Sequence, residues 1–175
     1  ILEIRGGPNG AFLDGFIADH HLMATNGYVV LAVNPRGSST YGIDFMTAVF
    51  DDWGGEDYKD IMAAVDEMAA RPYIDADRMG LHGYSYGGFM TTWTIGHDNR
   101  FKAAVAGAPV TNLSSFYGTS DIGVSFGERQ IGGRRIDEIE KYLFRSPLTY
   151  VESVETPLLI IHGESDVRVP MEQSE

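Results

Sequence analysis

Residues 79–91 read Met-Gly-Leu-His-Gly-Tyr-Ser-Tyr-Gly-Gly-Phe-Met-Thr, and no other stretch of the chain limits its possible folds as tightly. A short apolar run enters a Gly-Tyr-Ser-Tyr-Gly turn and leaves as a helix-forming segment. Glycines two residues before and two after the serine let a strand and a helix close around a strained residue, which lifts the hydroxyl of Ser85 out of a sheet. A strand-to-helix capping serine is the alternative reading. The same spacing recurs at Gly123-Val-Ser-Phe-Gly127, but a polar, turn-forming segment precedes it and further glycines follow. Lacking a strand on one side and a helix on the other, Ser125 is expected in a loop, and Ser85 is the candidate nucleophile.

The rest of the chain supplies a frame in which such a turn makes sense. An apolar start at residues 1–4 breaks at Gly6-Gly7-Pro8, as a strand running into a loop would. Residues 16–24 have helical composition and stop at Asn26-Gly27. Residues 28–33, Tyr-Val-Val-Leu-Ala-Val, predict a buried strand ended by Asn34-Pro-Arg-Gly37. Apolar residues at 58, 61, 62, 65, 68 and 69 form a 3.6-residue stripe, hence a helix lying on the sheet. Strands over 78–83, 101–110 and 157–162, a helix from about Gly87, an irregular stretch 111–136 and a helix near 137–144 complete the series. Strand and helix alternate, which predicts an α/β fold with a mostly parallel sheet and loops converging at the carboxyl ends of its strands. Pro170 followed by acidic residues predicts the first turn of a further helix.

Length and composition bound the rest. With 175 residues, 43% of them hydrophobic, the chain can bury one core and is read as one domain. Its longest apolar run is far short of the roughly 20 residues a spanning helix needs, and no signal-like leader opens it, so a non-membrane, cytoplasmic protein is expected. The absence of cysteine excludes disulfides and thiolate chemistry. A formal charge of -12, with Lys and Arg scattered, argues against nucleic acid or anionic lipid as a partner.

A serine hydroxyl needs a base, and the base needs an orienting acid. Asp166 follows the apolar run 158–161 and stands where a sheet-end loop would carry that acid; an ordinary loop aspartate is the alternative. The oxyanion of a tetrahedral intermediate needs two donors. Tyr86 supplies the N–H after the nucleophile by position, and Gly6-Gly7-Pro8 after the first strand is the natural source of the second; a plain Gly-Pro turn is the alternative. The base is harder to find. None of the five histidines follows Asp166. His20 and His21 read as surface or packing residues, His82 precedes the turn, His97 can bond helix carbonyls, and His162 is expected to pack or bond to backbone. No His-Glu-x-x-His spacing suggests a metal.

Taken in order, Gly6-Gly7-Pro8, Asn34-Pro-Arg-Gly37 with Tyr41-Gly42, Trp53-Gly-Gly-Glu-Asp-Tyr58, the segment 83–91, Ser146-Pro147 and residues 156–166 resemble the catalytic domain of the prolyl oligopeptidase family, most of all its acylaminoacyl-peptidase branch. The resemblance runs over nearly the whole chain. It implies an α/β-hydrolase fold that cleaves short peptides without a cofactor, often releasing an N-acylated amino acid, and often has esterase activity. Residue by residue, Ser85 matches the nucleophile, Asp166 the triad acid, and the backbone N–H groups of Gly7 and Tyr86 the oxyanion hole. Arg168 matches a position that contacts bound peptide in some members, with a plain surface arginine as the alternative. Phe116, Tyr117 and Phe126 fall where the family builds its specificity pocket. Residues 34–37 and 53–58 look structural, holding loops beside the site.

Three departures stand out. Arg5 occupies a position where the family usually has histidine. The β-propeller that precedes the family's catalytic domain is not in these residues. The last strand, the histidine loop and the closing helix are expected beyond Glu175, so residues 1–175 are read as a partial hydrolase domain, inactive by itself. A carboxylesterase of the same fold, a non-catalytic binding protein and a homo-oligomer remain open at this point.

Overall fold

A computed structural model describes all 175 residues. Five strands, β1 (Leu2–Ile4), β2 (Leu31–Ala32), β3 (Gly80–Tyr84), β4 (Ala103–Gly107) and β5 (Leu158–Ile161), form one sheet in the order β2-β1-β3-β4-β5. Every pairing is parallel, with Ile4 opposite Gly83 and Tyr84 opposite Gly107. The helices are α1 (Ala18–Thr25), α2 (Ile43–Thr47), α3 (Glu56–Ala69), α4 (Tyr86–His97), α5 (Leu113–Thr119), α6 (Gly123–Gly127) and α7 (Ile139–Phe144). The chain runs from β1 outward to β2, then crosses back to place β3 on the other side of β1. That reversal is a topological switch point, where loops diverge and leave a crevice at the carboxyl ends of the strands.

The core forms where β1 and β3 meet α4. Residues Tyr86 to Gly96 of α4 are all buried, as expected of a helix without a polar face. Phe89, Met90, Trp93 and Ile95 pack with Leu2, Ile4 and Leu81 of the strands. The predicted stripe on α3 is borne out, with Ile61, Met62 and Val65 buried in the same cluster.

Three sequence expectations need correction. Residues 28–33 do not form a buried strand: only Leu31 and Ala32 pair, and Tyr28 is 53% exposed. β2 pairs on one side only, with β1, and its Leu31, with the following Val33, is partly buried against the core. The stretch 111–136 is largely helical, comprising α5, α6 and one π-type turn at Glu128–Gly132. Its sequence lacks a 3.6-residue period because the helices are short and held by local bonds, the Asn112 side chain accepting from the Ser115 N–H at 3.1 Å and Thr119 Oγ1 donating to the Ser115 carbonyl at 3.0 Å. Ser125 therefore sits on a helix, donating to the Ile122 carbonyl at 3.4 Å. Gly123 is there because α6 presses on α5; a Cβ would lie 2.6 Å from the Tyr117 carbonyl oxygen.

Candidate active site

β3 ends in a sharp corner at Ser85, whose φ of 60° and ψ of -117° are the angles of a glycine-favouring mirror-image turn. The corner is pinned on both sides: the Ser85 N–H donates to the Gly107 carbonyl at 2.9 Å and its carbonyl accepts from the Phe89 N–H at 2.9 Å. Close approach explains the flanking glycines. A Cβ on Gly83 would meet the Gly87 carbonyl carbon at 2.5 Å and the Ile4 oxygen at 2.6 Å. One on Gly87 would overlap the Ile4 carbonyl and lie 2.9 Å from the Arg5 oxygen, and one on Gly88 would lie 2.6 Å from the Gly107 oxygen. Helix α4 thus starts in contact with the backbones of β1 and β4, which an alanine at any of these places would prevent.

Parallel register brings the loop after β1 to the same place. With Ile4 opposite Gly83, Gly6 arrives beside Ser85, and a Cβ built on Gly6 would lie 3.8 Å from the Ser85 Cβ. The Gly6-Gly7 loop and the nucleophile corner therefore share the switch-point crevice.

Beneath that corner lies a polar group that sequence reading missed. The Tyr86 hydroxyl donates to Asp57 Oδ2 at 2.5 Å, and Asp57 Oδ1 accepts from the Tyr58 N–H at 2.8 Å. Asp57 is 1% exposed. Burial pushes its carboxyl up to about 6, while hydrogen bonds from Tyr86, Tyr58 and Gly54 oppose the rise. The Tyr86 hydroxyl is likewise raised well above its ordinary value, by burial first and the Asp57 charge second. Trp53 meets Tyr86 edge-on at 4.9 Å, touches Phe89 at 5.0 Å, and donates its indole N–H to Gln130 Oε1 at 3.1 Å. The segment 53–58 thus anchors the first residue of α4.

The loop after β5 carries Asp166. Its Oδ1 accepts the N–H groups of Arg168 and Val169, both at 2.9 Å. Oδ2 lies on the other side of the carboxylate, 3.9 Å from His162 Nε2. His162 is a scaffold for this loop: Nε2 faces the Val169 carbonyl at 2.7 Å and Nδ1 the Ser174 hydroxyl at 2.6 Å. A carbonyl only accepts, so Nε2 carries the proton. Gln173, another residue without a sequence signal, is buried and ties the loop to the start of α5 through the N–H groups of Thr111 and Asn112 at 3.0 and 2.8 Å.

Arg168 is exposed and grips Asp121 through Nε at 2.7 Å and a terminal nitrogen at 3.2 Å, linking the Asp166 loop to the α5–α6 turn. Phe116 is 4% exposed, within the core. Tyr117 donates its hydroxyl to Glu128 at 2.7 Å, and Phe126 packs edge-on against Trp53 at 5.7 Å. Of the three aromatics, Phe126 connects to the nucleophile corner through Trp53.

No histidine is bonded to Ser85. His20 contacts Glu3 at 2.5 Å, His21 stacks on Phe16 at 4.5 Å, and His97 faces the Trp93 carbonyl at 2.8 Å. His82 Nε2 is buried and lies 4.0 Å from Glu3.

The chain matches the Prolyl oligopeptidase family over residues 15–175. It is 49% identical over its whole length to the uncharacterized peptidase YuxL of Bacillus subtilis, covering 27% of that protein. It is 38% identical over 99% of its length to dipeptidyl-peptidase 5 of Porphyromonas gingivalis, covering 26% of that protein. The fold superimposes on Pyrococcus horikoshii acylaminoacyl peptidase with a TM-score of 0.95 at 37% identity, over 99% of this chain and 28% of that one. The chain thus spans about a quarter of the length of the curated relatives it matches.

Proposed function

The chain belongs to the prolyl oligopeptidase family, and on that premise we propose that the protein carrying it is a serine peptidase that hydrolyses short peptides and releases N-acylated amino acids. The observation that carries this reading is the strained Ser85 corner, with the Gly6-Gly7 loop packed against it at the switch point of a parallel sheet. The likeness to an acylaminoacyl peptidase supports the substrate class.

In this reading Ser85 Oγ attacks the scissile carbonyl carbon while its proton passes to a histidine supplied from outside these residues. Oδ2 of Asp166 orients that histidine, since Oδ1 is already committed to two backbone donors. The N–H groups of Gly7 and Tyr86 hold the oxyanion. Collapse of the intermediate breaks the C–N bond, the histidine returns its proton to the leaving amine, and water then hydrolyses the acyl-enzyme.

The test is fluorophosphonate labelling and steady-state hydrolysis by the full-length protein and its Ser85→Ala variant, using an acetyl-amino-acid anilide and a p-nitrophenyl ester. Labelling and anilide cleavage lost together in Ser85→Ala are expected. Ester cleavage alone would make the protein a carboxylesterase, and an unlabelled wild-type protein would make it a non-catalytic relative.

A further inference from the structure

Arg5 lies at the end of β1, directly under the Gly6-Gly7 loop. One terminal nitrogen donates to the Gly6 carbonyl at 2.9 Å and to the Pro8 carbonyl at 2.8 Å, and the other binds the Ser38 hydroxyl. Its Nε is buried without a partner, and no carboxylate lies within salt-bridge distance, although the chain has 25 acidic residues. The loop is cut to fit this side chain. A Cβ on Gly7 would stand 2.6 Å from the guanidinium, and one on Gly10 3.1 Å.

The Gly6 carbonyl and the Gly7 N–H belong to one planar trans peptide group, so they point in opposite directions. Gripping the oxygen from below aims the N–H away from Arg5. A charged donor on that oxygen also polarises the group, making the N–H a stronger donor on its far side. A half-buried charge without a counter-ion is costly to keep. It becomes favourable when negative charge develops beyond the loop, as it does in a transition state.

We propose that Arg5 is the positioning residue of the oxyanion loop: it fixes and polarises the Gly6–Gly7 peptide so that the Gly7 N–H stabilises charge formed at Ser85. The role rests on the serine-peptidase reading above. The guanidinium does not touch substrate, because its terminal nitrogens are occupied by the loop and by Ser38.

The experiment compares full-length wild type, Arg5→Gln and Arg5→Lys, each normalised to active sites titrated with a fluorophosphonate, with Ser85→Ala at equal protein concentration as the control. Removing one oxyanion donor outright costs about 100- to 1,000-fold in kcat, so misaligning one through Arg5→Gln is expected to cost about 10- to 100-fold, with KM changed less than threefold. Affinity for a peptide boronate, which mimics the tetrahedral state, falls by the same factor. Arg5→Lys keeps the charge but not the two-carbonyl grip and loses about 3- to 30-fold per site. It carries the test if Arg5→Gln does not fold. A per-site kcat within twofold of wild type in whichever variant folds, or a loss lying wholly in the number of titratable sites, would overturn the proposal. Full activity of Ser85→Ala would instead sink the peptidase reading on which it stands.

Discussion

Replacing Ser85 by glycine should stabilise the fold relative to replacing it by alanine. At φ 60° and ψ -117° a side chain is held in a region that suits glycine, and such residues store about 1–3 kcal/mol each. The Ser85 hydroxyl makes no hydrogen bond among the side-chain contacts of the fold, and Gly6 leaves the Cβ ordinary room at 3.8 Å. Alanine therefore removes the nucleophile and keeps the strain, whereas glycine removes both. Glycine also gives the unfolded chain more freedom, which costs roughly 0.5–1 kcal/mol. The balance favours Ser85→Gly by about 1 kcal/mol. In a transition of this size that corresponds to about 2–4 °C in Tm. Both variants are inactive, so thermal unfolding of the two proteins side by side isolates the backbone term. A Ser85→Gly protein melting at or below Ser85→Ala would show that the corner is not strained, and the argument linking its angles to a poised nucleophile would fail with it.

Other substitutions probe the surroundings. Gly87→Ala drives a methyl group into the Ile4 carbonyl and should cost about 3 kcal/mol or more, while Gly118→Ala, where a Cβ meets nothing within 4 Å, should stay within about 0.5 kcal/mol; soluble yield and Tm decide. Asp57 is raised from 3.8 to about 6, so its contribution to stability is fully present below the unfolded value and is lost as pH rises through 6. Over that window wild type should lose roughly 3 kcal/mol relative to Asp57→Asn, read from urea midpoints between pH 4 and 8; parallel curves would contradict the buried, charged assignment. Asp166→Asn keeps an acceptor for the Arg168 and Val169 N–H groups and should fold normally, yet lose about 1,000- to 10,000-fold in kcat. A loss below tenfold would remove Asp166 from the mechanism.

Much of this was legible in the order of residues because it depends on local geometry. Gly83 and Gly87 around Ser85 announce a corner where no Cβ fits, and the stripe at Ile61, Met62 and Val65 announces a helix with one buried face. Asp57 and Gln173 were silent, because a buried polar side chain is satisfied by partners distant in sequence or in other elements: Tyr86 for the one, Thr111 and Asn112 for the other. Arg5 read only as an odd residue before two glycines until its grip on the Gly6 and Pro8 carbonyls was visible.

Sequence by itself determined the alternation of strands with the helices α3 and α4, that the sheet is parallel, and that Ser85 stands at a corner, but not the helices of 111–136. Each follows from periodicity, glycine placement and turn chemistry, which act over a few residues. Only the tertiary structure decided strand order, and with it that the glycine-rich β3 lies between β1 and β4. The physical reason is that apolar content says a segment can be buried, whereas position in the sheet depends on which backbones can approach closely, and β1, β3 and α4 meet where glycine removes every obstructing Cβ.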